Sequence, residues 1–107
     1  MGSEMPRPVV AALAAANSAN IDQFLDCFAA DGSVDDWGRI FTGRLAIRDW
    51  SDREFIGAHV ILEVVEQFAD GETAVVTAQV GGSGFNGKST FTFTTEGDVI
   101  RKMRITA

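Results

Sequence analysis

The second half of the chain leaves few folds open. Residues 73–80 set Ala74, Val76, Ala78 and Val80 against Val75, Thr77 and Gln79, and residues 88–95 set Phe91 and Phe93 against Thr90, Thr92 and Thr94. Alternation of period two marks a strand with one face toward a core and the other away from it. Residues 59–68 and 99–105 are as rich in β-branched and aromatic side chains, and the turns ADGE, GGSGFNG and EGD separate the four runs. Turns this short join antiparallel neighbours. The expectation is a sheet whose apolar face must be covered by whatever precedes residue 59.

What precedes it reads mainly as helix. Val9, Val10, Leu13 and Ala16 recur at helical spacing after Pro8, which suits a first turn, and NSAN stops the run. Asn20, followed three residues later by Gln23, has the pattern of a capping box. Ile21, Phe24, Leu25 and Phe28 then form the stripe of a second helix that Asp31-Gly32 ends. SVDDWGRIFTG, residues 33–43, is too short and too mixed to be helical. Residues 43–50 read as a third short helix with Leu45, Ala46, Ile47 and Trp50 inward, and Ser51 with Glu54 as the capping box of one further turn. The whole is expected to be one α+β domain over 1–107, with three N-terminal helices on one side of a curved sheet and residues 1–7 as a loose arm.

Composition narrows the partners. With 107 residues, 46% of them apolar, the chain can bury a core without staples. Fifteen acidic against nine basic residues give a formal net charge of −6, which repels phosphate backbones and anionic membranes, so neither nucleic acid nor a membrane is expected as a partner. VVAALAAA after Arg7 has the look of a secretory signal. Glu4 offsets its basic end, however, Pro6 and Pro8 break the approach, and the apolar run falls far short of the ~20 residues of a membrane span. Cys27, the one cysteine, falls in an apolar helical pattern and reads as a buried, inert thiol, which fits a reducing cytoplasm.

Few chemical motifs are present. One histidine and one cysteine do not assemble a usual zinc set, and the acidic pairs lack calcium-loop spacing, so neither metal nor cofactor is expected. No Ser-His-Asp or Cys-His arrangement suggests itself. GSGFNG, residues 82–87, matches the glycine string of dinucleotide-binding loops, but a strand follows it instead of the helix that would hold a pyrophosphate. These glycines are expected to shape a bulged or tight hairpin, with Asn86-Gly87 in left-handed conformations and Phe85 folded over a cavity or an interface.

The order helix, helix, short strand, helix and four long strands, with NIDQFLDCFAADGSVDD, FTGRLAIRDW and a closing GDVIRKMRI, resembles the nuclear transport factor 2-like superfamily, especially its SnoaL-like and ketosteroid-isomerase-like branch. The likeness runs over residues 9–105. It implies a cone-shaped, cystatin-like fold in which a bent, mostly antiparallel sheet and three helices enclose a largely apolar cavity, with the outer sheet face used for homodimers.

In the isomerase-like branch the corresponding short strand carries an aspartate that acts as general base at the cavity mouth. Asp36 occupies the matching position, and strand alternation turns Asp35 the other way. Burial of a carboxylate disfavours its charged form and strengthens it as a base. The branch pairs that base with an oxyanion hole made by a tyrosine on the first helix and a protonated aspartate on a late strand. This chain has no tyrosine; its first-helix site falls near Val9 and its late-strand site near Ser89 or Thr90. Each missing donor is worth on the order of 3 kcal/mol. Steroid isomerisation is therefore not expected, nor is the tyrosine-dependent chemistry of scytalone-dehydratase-like relatives.

Two functions of different class stay open. One is a homodimeric cup for a small apolar or amphipathic molecule, its polar end fixed by Asp36, Arg39 and Trp37, with Trp50, Phe55, His59, Phe91 and Met103 as further candidate ligand contacts. The other is a cofactor-independent isomerase, lyase or cyclase with Asp36 or Asp35 as general base on a carbonyl-containing substrate. A plain structural role competes with both: Asp35-Asp36 as a solvated turn, or as ion-pair partners of Arg39, Arg44 or Arg48. The four arginines from Arg39 to Arg53 also suit recognition of an anionic ligand, but Arg44 and Arg48, interleaved with Asp49 and Asp52, read first as a solvated helix face. The aromatic residues read first as core, and His59, at the start of a strand, reads equally as a surface residue.

Overall fold

The computed structural model describes residues 4–107. Its elements run α1 (Arg7–Asn17), α2 (Ile21–Asp26), β1 (Phe28–Asp36), β2 (Arg39–Thr42), α3 (Arg44–Glu54), β3 (Ile61–Asp70), β4 (Thr73–Gly81), β5 (Gly87–Glu96) and β6 (Val99–Thr106). The strands form one sheet in the order β2-β1-β6-β5-β4-β3, antiparallel except for the parallel β1/β6 pair. This is the expected α+β architecture, with three helices packed on one face of a curved, mostly antiparallel sheet. The helix begins at Arg7 and Met5 already packs on the core, while the first three residues of the arm expected over 1–7 lie outside the described residues.

The alternation in the second half places the core. Ala74, Val76 and Ala78 of β4, Phe91 and Phe93 of β5, and Ile100 and Met103 of β6 are all at most 1% exposed. Burying one phenylalanine in this way contributes about 2–3 kcal/mol. α1 covers this face with Val9, Ala12, Ala15 and Ala16, small side chains that let the helix lie close, and α2 adds Phe24 and Leu25. Asn20 caps α2 as expected, its Oδ1 accepting from Gln23 N–H at 3.1 Å, but the reciprocal half of the capping box does not form: Asn20 N–H donates to Ala15 O at 2.9 Å and Gln23 Oε1 accepts instead from Asn20 Nδ2 at 3.4 Å. β3 is a sheet edge, and Asn17 at the end of α1 occupies it like one residue of a further strand. It accepts from Leu62 N–H at 2.7 Å and donates to Leu62 O at 3.0 Å, which blunts the edge.

Several expectations need correction. Val10 and Leu45, assigned to the core by spacing, are 52% and 80% exposed, because α1 buries the face of Val9, Ala12, Ala15 and Ala16 and α3 that of Ile47, Trp50 and Ser51, and both residues lie off those faces. The second helix stops at Asp26, and Phe28 already opens β1. Asp31-Gly32 is not a helix stop. It lies in an irregularity of β1 between Phe28 and Ser33, where a Cβ on Gly32 would come within 3.0 Å of Ile100 O, and glycine serves bulges as well as helix ends. β2 was not anticipated: Arg39 to Thr42 pairs with β1 as an antiparallel hairpin.

SDRE continues α3 instead of starting a new turn, with Ser51 fully buried and accepting from Ile56 N–H at 3.3 Å. His59 does not start a strand. It sits exposed in the preceding turn at φ 58°, and β3 begins at Ile61. In the β4–β5 loop the left-handed positions are Gly82 and Gly87 rather than Asn86, whose Nδ2 instead donates to Gly82 O and Gly84 O at 3.0 Å each.

Candidate functional site

The β1–β2 hairpin explains why two aspartates precede a tryptophan and a glycine. Asp36 pairs with Arg39, so Trp37 and Gly38 alone make the turn, with φ of 55° and 92°. Two consecutive left-handed residues are what a type I′ hairpin turn demands. Gly38 adopts that conformation freely; Trp37 does so at a cost. Asp35 serves the turn itself, its Oδ1 accepting from Gly38 N–H at 2.8 Å. Alternation sends Asp36 to the opposite face, toward α3.

There Asp36 Oδ2 accepts twice, from Trp50 Nε1–H at 3.0 Å and from Arg39 Nη2 at 2.5 Å. Its Oδ1 has no hydrogen-bond partner among the described residues. Arg39 also donates in bidentate fashion to Glu54 at 2.9 and 2.6 Å, and its guanidinium lies 5.7 Å from the centre of the Phe41 ring. The hydrogen bond to Glu54, followed by that to Asp36, raises the Arg39 guanidinium above its ordinary value against the opposing effect of burial. The same bond holds Glu54 below the usual glutamate value. The three side chains form a gradient: that of Asp36 is 15% exposed, that of Glu54 36% and that of Arg39 53%. The most desolvated charge of the group is the anion.

Behind the hairpin lies a pocket of about 330 Å³, at the lower end of the range for small-molecule sites. Its inner wall is Trp50, Phe55, Val60, Val80, Phe91 and Ile105, with Ser89, 1% exposed, adding a hydroxyl. Asp36, Trp37, Arg39, Arg53, Glu54 and Phe85 surround its mouth. The aromatic wall is tightly joined: the Trp50 and Phe55 rings stack at 4.9 Å, and Phe55 lies 6.3 Å from Phe91. Trp37 and Phe85 stay more than half exposed.

Of the candidate residues, Asp36, Trp37, Arg39, Trp50, Phe55 and Phe91 converge on this pocket. Asp35 faces away into the turn. Met103 lies within the core, off the wall, because the pocket opens toward the other end of β6 at Ile105. His59 is off the wall as well, since its left-handed turn points it to solvent. Arg44 and Arg48 do not serve the aspartates: Arg44 donates to Phe28 O at 2.6 Å and Arg48 to Asp22 Oδ1 at 2.8 Å. Glu54 lines the pocket and was not anticipated, whereas Ser89 lines it at the late-strand donor position already noted, and Arg53 is one of the arginines between 39 and 53. Glu54 had been given to a cap, and no local pattern links it to Arg39, fifteen residues earlier.

Cys27 is buried, and burial followed by the charge of Asp26 raises its thiol above the ordinary value, as an inert thiol requires. Among the described residues no cluster of three His, Cys, Asp or Glu could hold a metal ion, and no helix is long and apolar enough to cross a membrane.

The model of a family described as the SnoaL-like domain matches residues 9–106. No curated protein matches the sequence. Among solved structures, the chain is similar to a Sinorhizobium meliloti protein proposed to be a polyketide cyclase, at 28% identity over 95% of each chain and a TM-score of 0.83. It is similar to a Catenulispora acidiphila protein of ketosteroid isomerase-like fold in complex with trimethylamine, at 25% identity over 97% of this chain and 87% of that one, TM-score 0.80. It also shares the fold of a Mycobacterium tuberculosis protein in complex with estradiol-17beta-hemisuccinate, at 14% identity over 94% and 90%, TM-score 0.83.

Proposed function

From the premise that this chain belongs to the SnoaL-like domain family, we propose that it binds a small apolar or amphipathic molecule in the pocket behind the β1–β2 hairpin. The observation that carries this reading is the conjunction of an aromatic chamber of about 330 Å³ with Asp36 at its mouth, one carboxylate oxygen fixed and the other free. An apolar interior supplies affinity and a few placed polar atoms supply orientation. The complexes of two similar proteins with trimethylamine and with a steroid ester support a small-molecule role in kind.

A second reading has its own support. Asp36 Oδ1 has a lone pair available, and the similar Sinorhizobium protein is proposed to be a cyclase. Asp36 would then remove a proton beside a substrate carbonyl without a cofactor, as an isomerase, lyase or cyclase does. Against it, the chain has no tyrosine and the inner wall offers the hydroxyl of Ser89 as its side-chain donor opposite the mouth, so a developing enolate gains little stabilisation.

The proposal extends to a single cytoplasmic domain that pairs through the outer sheet face. That face carries exposed Ile61 and Phe68 on β3 beside the threonines of β5. Its β3 side is acidic, with Glu63, Glu66 and Asp70, and its β6 side basic, with Lys102 and Arg104. A two-fold axis along the strands would set the acidic side of one copy on the basic side of the other.

Both tryptophans of the chain, Trp37 and Trp50, border the pocket, so intrinsic fluorescence reports its occupancy. Titration with α-tetralone, a bicyclic aromatic ketone, is expected to give a saturable change with Kd near or below 1 mM, from about 0.4 kcal/mol per heavy atom. Absence of any saturable response, together with no small molecule retained in native mass spectrometry of the fresh protein, overturns the binding reading. Loss of the ketone's α-proton NMR signals in D2O, abolished by Asp36→Asn, would raise the second reading above the first.

A further inference from the structure

Resting on the pocket being the ligand site, we infer that it selects a small organic cation, an aromatic or alicyclic amine in its protonated form, over neutral and anionic molecules of the same shape. Four observations lead there. Arg39 is already committed: Nη1 donates to Glu54 and Nη2 to both Glu54 and Asp36, so an incoming carboxylate would have to displace two existing ones. Asp36 Oδ1 is free, and an ionised carboxylate oxygen can only accept. The partner that completes it must therefore bring an N–H or O–H. A ketone, ether or carboxylate brings neither.

The third observation is the exposure gradient. Asp36 is the least exposed charge at the mouth, while Arg39 and Arg53, the latter in no ion pair among the described residues, stand in solvent, where their fields are screened. The four charges sum to zero, yet the potential inside the pocket follows the nearest and least screened of them, which is negative. The fourth observation is the walls. Trp37 and Phe85, both more than half exposed, line the same pocket as Asp36, and aromatic faces attract a cation by about 0.5–2 kcal/mol while repelling an anion. The net charge of −6 also steers cations toward the protein.

The test compares three probes of nearly equal size by tryptophan fluorescence at pH 7 and low salt: N,N-dimethylbenzylamine as the cation, phenylacetamide as the neutral molecule and phenylacetate as the anion. The amine is expected to bind at least threefold tighter than the amide and at least tenfold tighter than the acid. Asp36→Asn should bring amine and amide within twofold of each other. Because that variant also loses the Arg39 contact and can unfold, a second measurement uses the unmodified protein: raising NaCl from 20 to 500 mM should weaken the amine several-fold and leave the amide unchanged. Amine and amide binding equally, or phenylacetate binding best, overturns the cation preference while the ligand site stands. Failure of all three probes overturns the cation preference, and joined to a silent α-tetralone titration and an empty native mass spectrum it overturns the ligand site as well.

Discussion

The inner wall formed by β4, β5 and β6 and the mouth formed by the β1–β2 hairpin and the end of α3 touch the same pocket but are held together differently. On the wall, every inward residue of β4 and β5 from Ala74 to Val80 and from Ser89 to Phe93 is at most 6% exposed, and the β4–β5 register runs unbroken. At the mouth, a tryptophan sits in a left-handed turn, β1 carries an irregularity, and the side chains that meet are charged and partly solvated. The wall is fixed by burial, in which any lost volume is felt. The mouth is fixed by hydrogen bonds and ion pairs of small net worth. A locally unfavourable residue survives there because stability does not depend on it, and this is where chemistry is expected to reside.

The largest test of that contrast is Phe93→Ala. Phe93 is fully buried and off the pocket, so its loss should lower unfolding free energy by about 3–5 kcal/mol, read as the urea midpoint, while the folded fraction keeps its α-tetralone response. A fall under about 1 kcal/mol would mean that burial does not fix this part of the sheet. Trp37→Asn should act in the opposite sense. An asparagine-glycine pair suits the turn that Trp37-Gly38 now makes, so stability is expected to rise by about 0.5–1 kcal/mol, while α-tetralone binding weakens several-fold. If stability falls instead, the Trp37 ring is part of the packing and the distinction between mouth and wall fails.

The same contrast explains what the sequence disclosed. The wall was legible because period two is a global constraint: Ala74, Val76, Ala78, Phe91 and Phe93 were assigned inward and are inward. At the mouth a strand set only a parity: Asp35 and Asp36 had to face opposite ways, but alternation alone did not say which of them turns toward α3. Three local signals misled because each has two uses. Asp-Gly at 31–32 serves a bulge as well as a helix end, the SDRE pattern continues a helix as well as starting one, and the solvated turn read at Asp35-Asp36 is also the turn of a hairpin, which Trp37 disguises because tryptophan rarely takes a left-handed position. Glu54 was out of reach altogether. Its partner Arg39 is brought to it by the packing of α3 on the hairpin, and no periodicity within either element encodes that distance.

Glu54 also supplies the smallest and most discriminating test. Arg39 holds its carboxyl below the ordinary value in the folded protein, so the unfolded state binds the proton first as pH falls. The stability that this pair contributes is complete above the unfolded glutamate range and disappears as pH drops through the depressed folded value. Wild type should therefore exceed Glu54→Gln in urea midpoint above about pH 5 and converge on it by about pH 3. The site is largely solvated, so the gap should stay below about 1 kcal/mol and shrink in high salt. Because Arg39 bridges Glu54 to Asp36, the variant also frees half of the guanidinium, and phenylacetate should gain affinity in it relative to N,N-dimethylbenzylamine. A gap rivalling that of Phe93→Ala would make the ion cluster a structural pillar of the fold. A gap of the expected size, joined to that shift in probe preference, identifies Glu54 as the residue that keeps Arg39 occupied and the pocket closed to anions.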